Sequence, residues 1–193
     1  MTREPLVPAS QAPLAPPWSV DQWFGAAPDF GLHALRGQVV ALHTFQMLCP
    51  GCVTHGLPQA QRIRATFSGE DVAVVGLHTV FEHHDAMRPV SLAAFLHEYR
   101  IHFPVGVDSP SDPGPVPQTM ARYGLRGTPS LVLIDRQGRL RFHAFGRPED
   151  MLVGAAIAAL LAEPALGADA GPDLASADAP HAAPGCDDDG CAL

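Results

Sequence analysis

The chain has 193 residues, 47% of them hydrophobic, and a formal charge of −8, enough for one domain with its own core and some length to spare. No apolar run approaches the ~18 residues of a membrane span. The twelve cations are all arginine and are scattered rather than clustered, so neither a membrane nor a nucleic acid is an expected partner.

The charge is unevenly placed. Seven of the twenty acidic residues lie between Glu163 and the C-terminus, where there is no arginine. Residues 164–193 lack periodicity and large apolar side chains and read as a disordered acidic tail. Residues 1–17, rich in Pro and Ala, read as a disordered lead, leaving one domain over 18–163. The lead has no apolar core of the kind a secretory signal carries, so the expected compartment is the cytoplasm. Four cysteines are too few for a disulfide scaffold. In a reducing compartment a close pair points to catalysis or to a metal.

In chain order, "WFGAAPDFGLHALRG" is a turn-rich lead-in, with Pro28, Gly31 and Gly37 as turn signals. "QVVALHTF" (38–45) is a β-branched apolar run and predicts a buried strand. Val53, Leu57, Ala60, Ile63 and Phe67 recur at helical spacing and predict a helix from about 50 to 67, kinked at Pro58. "DVAVVGLH" (71–78) predicts a second buried strand. "VSLAAFLHEYRI" follows as a helix with Ser91 as its expected N-cap. "FPVGVD" is a short strand, "DSPSDPGPVP" a loop, and "QTMARYGL" a brief helix closed by Gly124. "GTPSLVLIDRQGRLRFHAFG" has the pattern of a hairpin, and 149–162 predicts a last helix. Strands alternating with helices indicate an α/β sandwich with helices on both faces of a central sheet.

The chemistry concentrates at "CPGC", residues 49–52. A strand that runs into two cysteines at a helix start places a thiol where unpaired amides and the macrodipole favour the thiolate. Cys49, at the helix start, is expected to be exposed and nucleophilic. Cys52, one turn on, is placed to attack a mixed disulfide on Cys49. The reaction that follows is thiol–disulfide exchange.

"CPGC" after a "VVALHTF" strand, "RGTPSLVLIDRQGRL" at 126–140 and the inserted "HEYRIHFPVGVD" together resemble the thioredoxin superfamily. The resemblance is to its redoxin group, which includes TlpA-like disulfide reductases and the peroxiredoxins, and it covers roughly 28–162. It implies a thioredoxin-like fold, a central mixed sheet with helices on both faces and a helix–strand insertion. It implies a redox-active disulfide in a CXXC motif, with a thiol–disulfide oxidoreductase or antioxidant role. It places Pro129 as a cis-proline facing the pair, with Thr128, Pro50 and Gly51 in contact with substrate. His43 falls where thioredoxins often carry a buried acid that helps deprotonate the second cysteine; a histidine there can take that proton or stand as a hydrogen-bonded core residue. The implied partners are a disulfide-containing protein or small thiol and an electron-donor reductase, and no cofactor is implied.

Two other readings stand beside this one. A peroxiredoxin-like peroxidase needs Pro-x-x-x-Thr-x-x-Cys. Aligned on Cys52, the threonine position holds Cys49, and neither His43 nor Phe45 supplies the proline. A non-enzymatic module could bind zinc through Cys49, Cys52, Cys186 and Cys191. His55, His78, His83 and His84 also invite a metal reading, although their spacing lacks the one-turn pairing of a helical site. Finally, "GCDDDGCAL" at the C-terminus offers Cys186 and Cys191 as a secondary redox pair that exchanges with Cys49 and Cys52, beside the readings of a metal-scavenging tail and of a tail with no function. Asp187, Asp188 and Asp189 disfavour its thiolates by like-charge repulsion, so it is not expected to be the primary nucleophile.

Overall fold

The computed structural model describes residues 6–164. Its elements are β1 (Val20–Phe24), a 3₁₀ turn (Leu32–Leu35), β2 (Val39–Phe45), a π turn (Cys52–Gly56), α1 (Leu57–Thr66), β3 (Val72–His78), α2 (Pro89–Glu98), β4 (Val105–Asp108), α3 (Gln118–Arg122), β5 (Ser130–Ile134), β6 (Leu140–Phe145) and α4 (Asp150–Ala162). The six strands form one mixed sheet in the order β1-β4-β3-β2-β5-β6.

β2 lies at the centre and is buried at every position. It runs parallel to β3, with His43 opposite Gly76 and Phe45 opposite His78. It runs antiparallel to β5, with Thr44 opposite Ser130. That register brings the C-terminal end of β2, where the cysteines follow, beside the N-terminal end of β5, where Pro129 sits.

Side chains alternate across β2, and each face has its own core. Val39, Ala41 and Phe45 pack with Cys52 and with the inner faces of α1, α2 and α4. Val40 and Leu42 face the other way, towards the 3₁₀ turn, Met120 and Tyr123. Helical elements therefore cover both faces. Each large apolar side chain buried this way contributes about 1.5–3 kcal/mol, and α4 alone buries Val153, Ile157 and Leu160.

Several local features differ from the sequence reading. Residues 6–17, expected to be a disordered lead, lie along β6. Val7 N–H donates to Arg141 O at 2.8 Å, Leu140 N–H to Pro13 O at 2.9 Å and Ala15 N–H to Gly138 O at 2.8 Å. Arg141 Nε and Arg139 Nη1 add bonds to Val7 O and Ala12 O. Prolines lack donors but keep their carbonyls, and an edge strand has open donors to fill them. β1, hidden in the lead-in, pairs antiparallel with β4. Ser91 does not cap α2, which begins earlier with Arg88 at the N-cap and Pro89 in its first turn, where a missing N–H costs nothing.

Where a kink was expected at Pro58, the helix carries a π turn just before it. Leu57 N–H reaches back to Cys52 O, one residue further than in an α-helix, and Pro58 enters the first turn of α1. Widening the turn removes the clash between the proline ring and the carbonyl four residues back. The tail and its cysteine pair, Cys186 and Cys191, lie outside the described residues.

Candidate active site

The loop after β2 is held from its backbone outward. Met47 N–H donates to His78 Nε2 at 3.4 Å, Cys49 N–H to Gln46 O at 3.1 Å and Val53 N–H to Cys49 O at 3.1 Å. The helical turn begins at the exposed Pro50, so Cys49 occupies the capping position. Its Sγ accepts the N–H of Cys52 at 3.2 Å, the contact an N-cap oxygen ordinarily makes. That amide and the N-terminal end of the helix therefore face Cys49 Sγ.

The two cysteines, unbridged among the described residues, have unlike surroundings. Cys49 is partly exposed, whereas Cys52 is 0% exposed in the core behind it. Burial pushes the Cys52 thiol up to about 12; the Cys49 side chain adds in the same direction, against smaller opposing hydrogen bonds from Gln46 and Thr128.

Across the site, the Thr128–Pro129 bond is cis. The Cys49 thiol donates to Thr128 O at 3.6 Å, a contact between residues 79 positions apart in sequence. The segment is fastened by Ser130 Oγ to Gly127 O at 2.8 Å and by Gly146 N–H to Pro129 O at 2.8 Å. The Pro129 ring packs directly on the helix start. A Cβ at Gly51 would come within 3.3 Å of Pro129 Cδ, and one at Gly56 within 2.9 Å of Pro129 Cβ. Cys49, Pro50, Gly51, Cys52, Thr128 and Pro129 are thus brought together.

His43 lies on the β2 face that carries Cys52, 2% exposed, and its Nε2 has no hydrogen-bond partner among the described residues. Burial holds it down at about 4, so the ring is neutral at pH 7. His78, 0% exposed, is likewise held at about 4 by burial. Of the other histidines singled out, His55 stands half-buried in the π turn, while His83 and His84 are exposed after β3. Among the described residues no three His, Cys, Asp or Glu side chains converge as a metal site.

Beside Cys49 opens a cavity of about 490 Å³ lined by Leu48, Cys49, Phe81, Glu82, Arg126, Thr128 and Phe145, among others. Sequence reasoning passed over most of these residues. It also passed over Gln46, which is 1% exposed. Gln46 Oε1 accepts Phe81 N–H at 3.2 Å and its Nε2 donates to Glu82 Oε1 at 3.3 Å, tying the far wall to the cysteine loop. A polar side chain directly after a fully buried strand was the available signal, because burial demands partners for it.

A helix-capping cysteine, a buried second cysteine and a facing cis-proline on a mixed sheet define a dithiol site of the thioredoxin kind. No protein-family model matches the chain, and no curated protein does. Among solved structures, a thioredoxin-like superfamily protein is 60% identical over 79% of this chain and 98% of its own, with a TM-score of 0.77. A thiol-disulfide isomerase from Corynebacterium glutamicum is 46% identical over 80% of this chain and 99% of its own, with a TM-score of 0.76. The thioredoxin domain of a thiol-disulfide oxidoreductase from Bacteroides vulgatus, 15% identical over 75% of this chain and 94% of its own, shares the fold at a TM-score of 0.59. The chain belongs to the thioredoxin-like superfamily.

Proposed function

We propose that the protein is a thiol–disulfide oxidoreductase in which Cys49 is the nucleophile and Cys52 the resolving thiol. The observation that carries this is the asymmetry at one helix start. The accessible Cys49 Sγ takes the Cys52 amide at 3.2 Å, whereas Cys52 is wholly buried. The thiolate of Cys49 attacks one sulfur of a substrate disulfide and expels the other as a thiolate, which takes a proton from solvent. Cys52 then loses its proton and attacks Cys49 Sγ, releasing the second substrate thiolate. The substrate leaves as a dithiol and the enzyme holds a Cys49–Cys52 disulfide.

His43 is the candidate acceptor for the Cys52 proton. Burial disfavours charge on both groups, holding Cys52 as the thiol and His43 as the neutral imidazole. Pro50 and Thr128 line the groove proposed for substrate, and Gly51 lies against the Pro129 ring beside it. The finer TlpA-like assignment rests on α2 and β4, inserted between β3 and α3. An antioxidant role follows if electrons flow outward to oxidised protein thiols. The substrate is a protein or small-thiol disulfide, and a reductase must restore the dithiol. No helix among the described residues is long and apolar enough to cross a membrane. The cytoplasmic setting expected from the sequence is not required by this chemistry.

In a Cys52→Ser variant, a substrate disulfide should remain trapped on Cys49, as mass spectrometry would show. Equal trapping by Cys49→Ser would reverse the two roles. Faster turnover of hydrogen peroxide than of a protein disulfide would favour the peroxidase reading instead.

A further inference from the structure

The C-terminal "GCDDDGC" (185–191) is a motif the exchange reaction leaves unused. The groove beside Cys49 has features that suit it. Leu48 and Phe145, 55% and 49% exposed, are large apolar side chains left open on this cavity. The guanidinium of Arg126 sits 5.7 Å from the centre of the Phe145 ring, and no ion pair holds it among the described residues. Phe145 reaches this rim because residue 127 is glycine, where a Cβ would come within 2.9 Å of the ring. The acid on the opposite wall, Glu82, is already engaged by Gln46 Nε2.

The described chain ends within reach of this groove. Pro164 O accepts Gln137 Nε2 at 3.2 Å, in the turn at the far end of β5 from Pro129. From that turn to Pro129 is roughly 26 Å at strand spacing. The twenty-two residues from Ala165 to Cys186 can span up to about 70 Å. Three aspartates between two cysteines offer a cation-seeking segment that itself carries two thiols.

We infer that Cys186 and Cys191 are the immediate electron source for the Cys49–Cys52 disulfide, with Asp187–Asp189 seated against Arg126 in the Leu48–Phe145 groove. The inference rests on the exchange reading above. One tail thiolate attacks Cys49 Sγ, breaking the Cys49–Cys52 bond, and Cys52 leaves and takes up a proton. The second tail thiol loses its proton and attacks its tail partner, forming the Cys186–Cys191 disulfide and releasing Cys49. One S–S bond breaks, one forms, and two electrons pass from tail to core with no other reagent. An external dithiol donor then reduces the tail.

The test uses the full-length Cys52→Ser variant in a glutathione redox buffer, with non-reducing peptide mapping. The expected product is a monomer with Cys49 linked to Cys186 or Cys191. Adding Arg126→Glu should slow that linkage about tenfold at low ionic strength, and the difference should shrink as salt is added. Linkage only between chains, or none, overturns the inference while an added protein disulfide is still trapped on Cys49. Linkage at an unchanged rate in Arg126→Glu overturns the seating in the groove. If Cys49 traps neither the tail nor the added disulfide, the exchange reading itself fails.

Discussion

Acidification from pH 7 to pH 4.5 should destabilise the fold through His43 and His78. Both are essentially inaccessible, 2% and 0% exposed, and burial lowers each from 6.5 to about 4. Above pH 6.5 neither the folded nor the unfolded chain protonates them, and they add no pH dependence. Between 6.5 and 4 the unfolded chain binds two protons that the folded chain refuses. Stability therefore falls as the pH falls, by up to ~1.4 kcal/mol per pH unit for each histidine. Across the whole window each contributes a loss of about 3 kcal/mol, a large share of a typical total of 5–15 kcal/mol. Asp108 acts in the opposite sense. Burial raises its carboxyl above 3.8, so as the pH rises the unfolded carboxyl ionises first, and its contribution is largest at low pH and fades upward. Comparing variants cancels that common background. Urea unfolding of wild type, His43→Leu and His78→Gln at pH 7, 6, 5 and 4.5 reads the slope directly. Each variant should lose about one proton of the uptake on unfolding. Identical slopes in all three proteins would refute the assignment of the window to these rings.

Other perturbations follow from the packing. Gly56→Ala places a Cβ 2.9 Å from Pro129 Cβ. The overpacking costs about 1–3 kcal/mol, partly offset by ~1 kcal/mol of helix propensity, so stopped-flow exchange should slow far more than urea stability drops; a wild-type rate would sink this. Arg141→Leu strands Asp135, whose side chain is 1% exposed, and should cost about 3–5 kcal/mol. A change in unfolding free energy below 1 kcal/mol would be incompatible with a buried ion pair there. Gln46→Leu removes the acceptor of Phe81 N–H and should raise amide hydrogen exchange at Phe81 selectively. Unchanged protection of that amide would mean the two loops are held by something else.

What could be read from the sequence was local. The runs 38–45 and 71–78, the hairpin through Asp135 and Gly138, and the cysteine pair at a helix start each announce themselves within a dozen residues. Periodicity, turn chemistry and capping act over that range. The Cys49–Cys52 site was legible for the same reason, since a strand, a turn and a helix start are contiguous there. The rest depends on residues far apart in the chain. Nothing local says that Pro13 and Ala15 lie on β6, because the donors that hold residues 6–17 belong to 138–141. β1 is invisible alone, since an edge strand acquires its bonds only from β4. A kink was expected at Pro58; the π turn that precedes it instead follows from the helix bonds as made, Leu57 reaching Cys52.

The amino-acid sequence by itself determined the superfamily and the placing of two cysteines at a helix start, because each motif that carries them is a short contiguous run. The tertiary structure alone decided how unlike the two sulfurs are and what flanks them. The β2–β5 register carries Thr128 to Cys49, burial separates Cys52 from water, and Arg126 meets Phe145 beside them. Solvation and long-range pairing are properties of the packed chain, and they appear only when the sheet has closed.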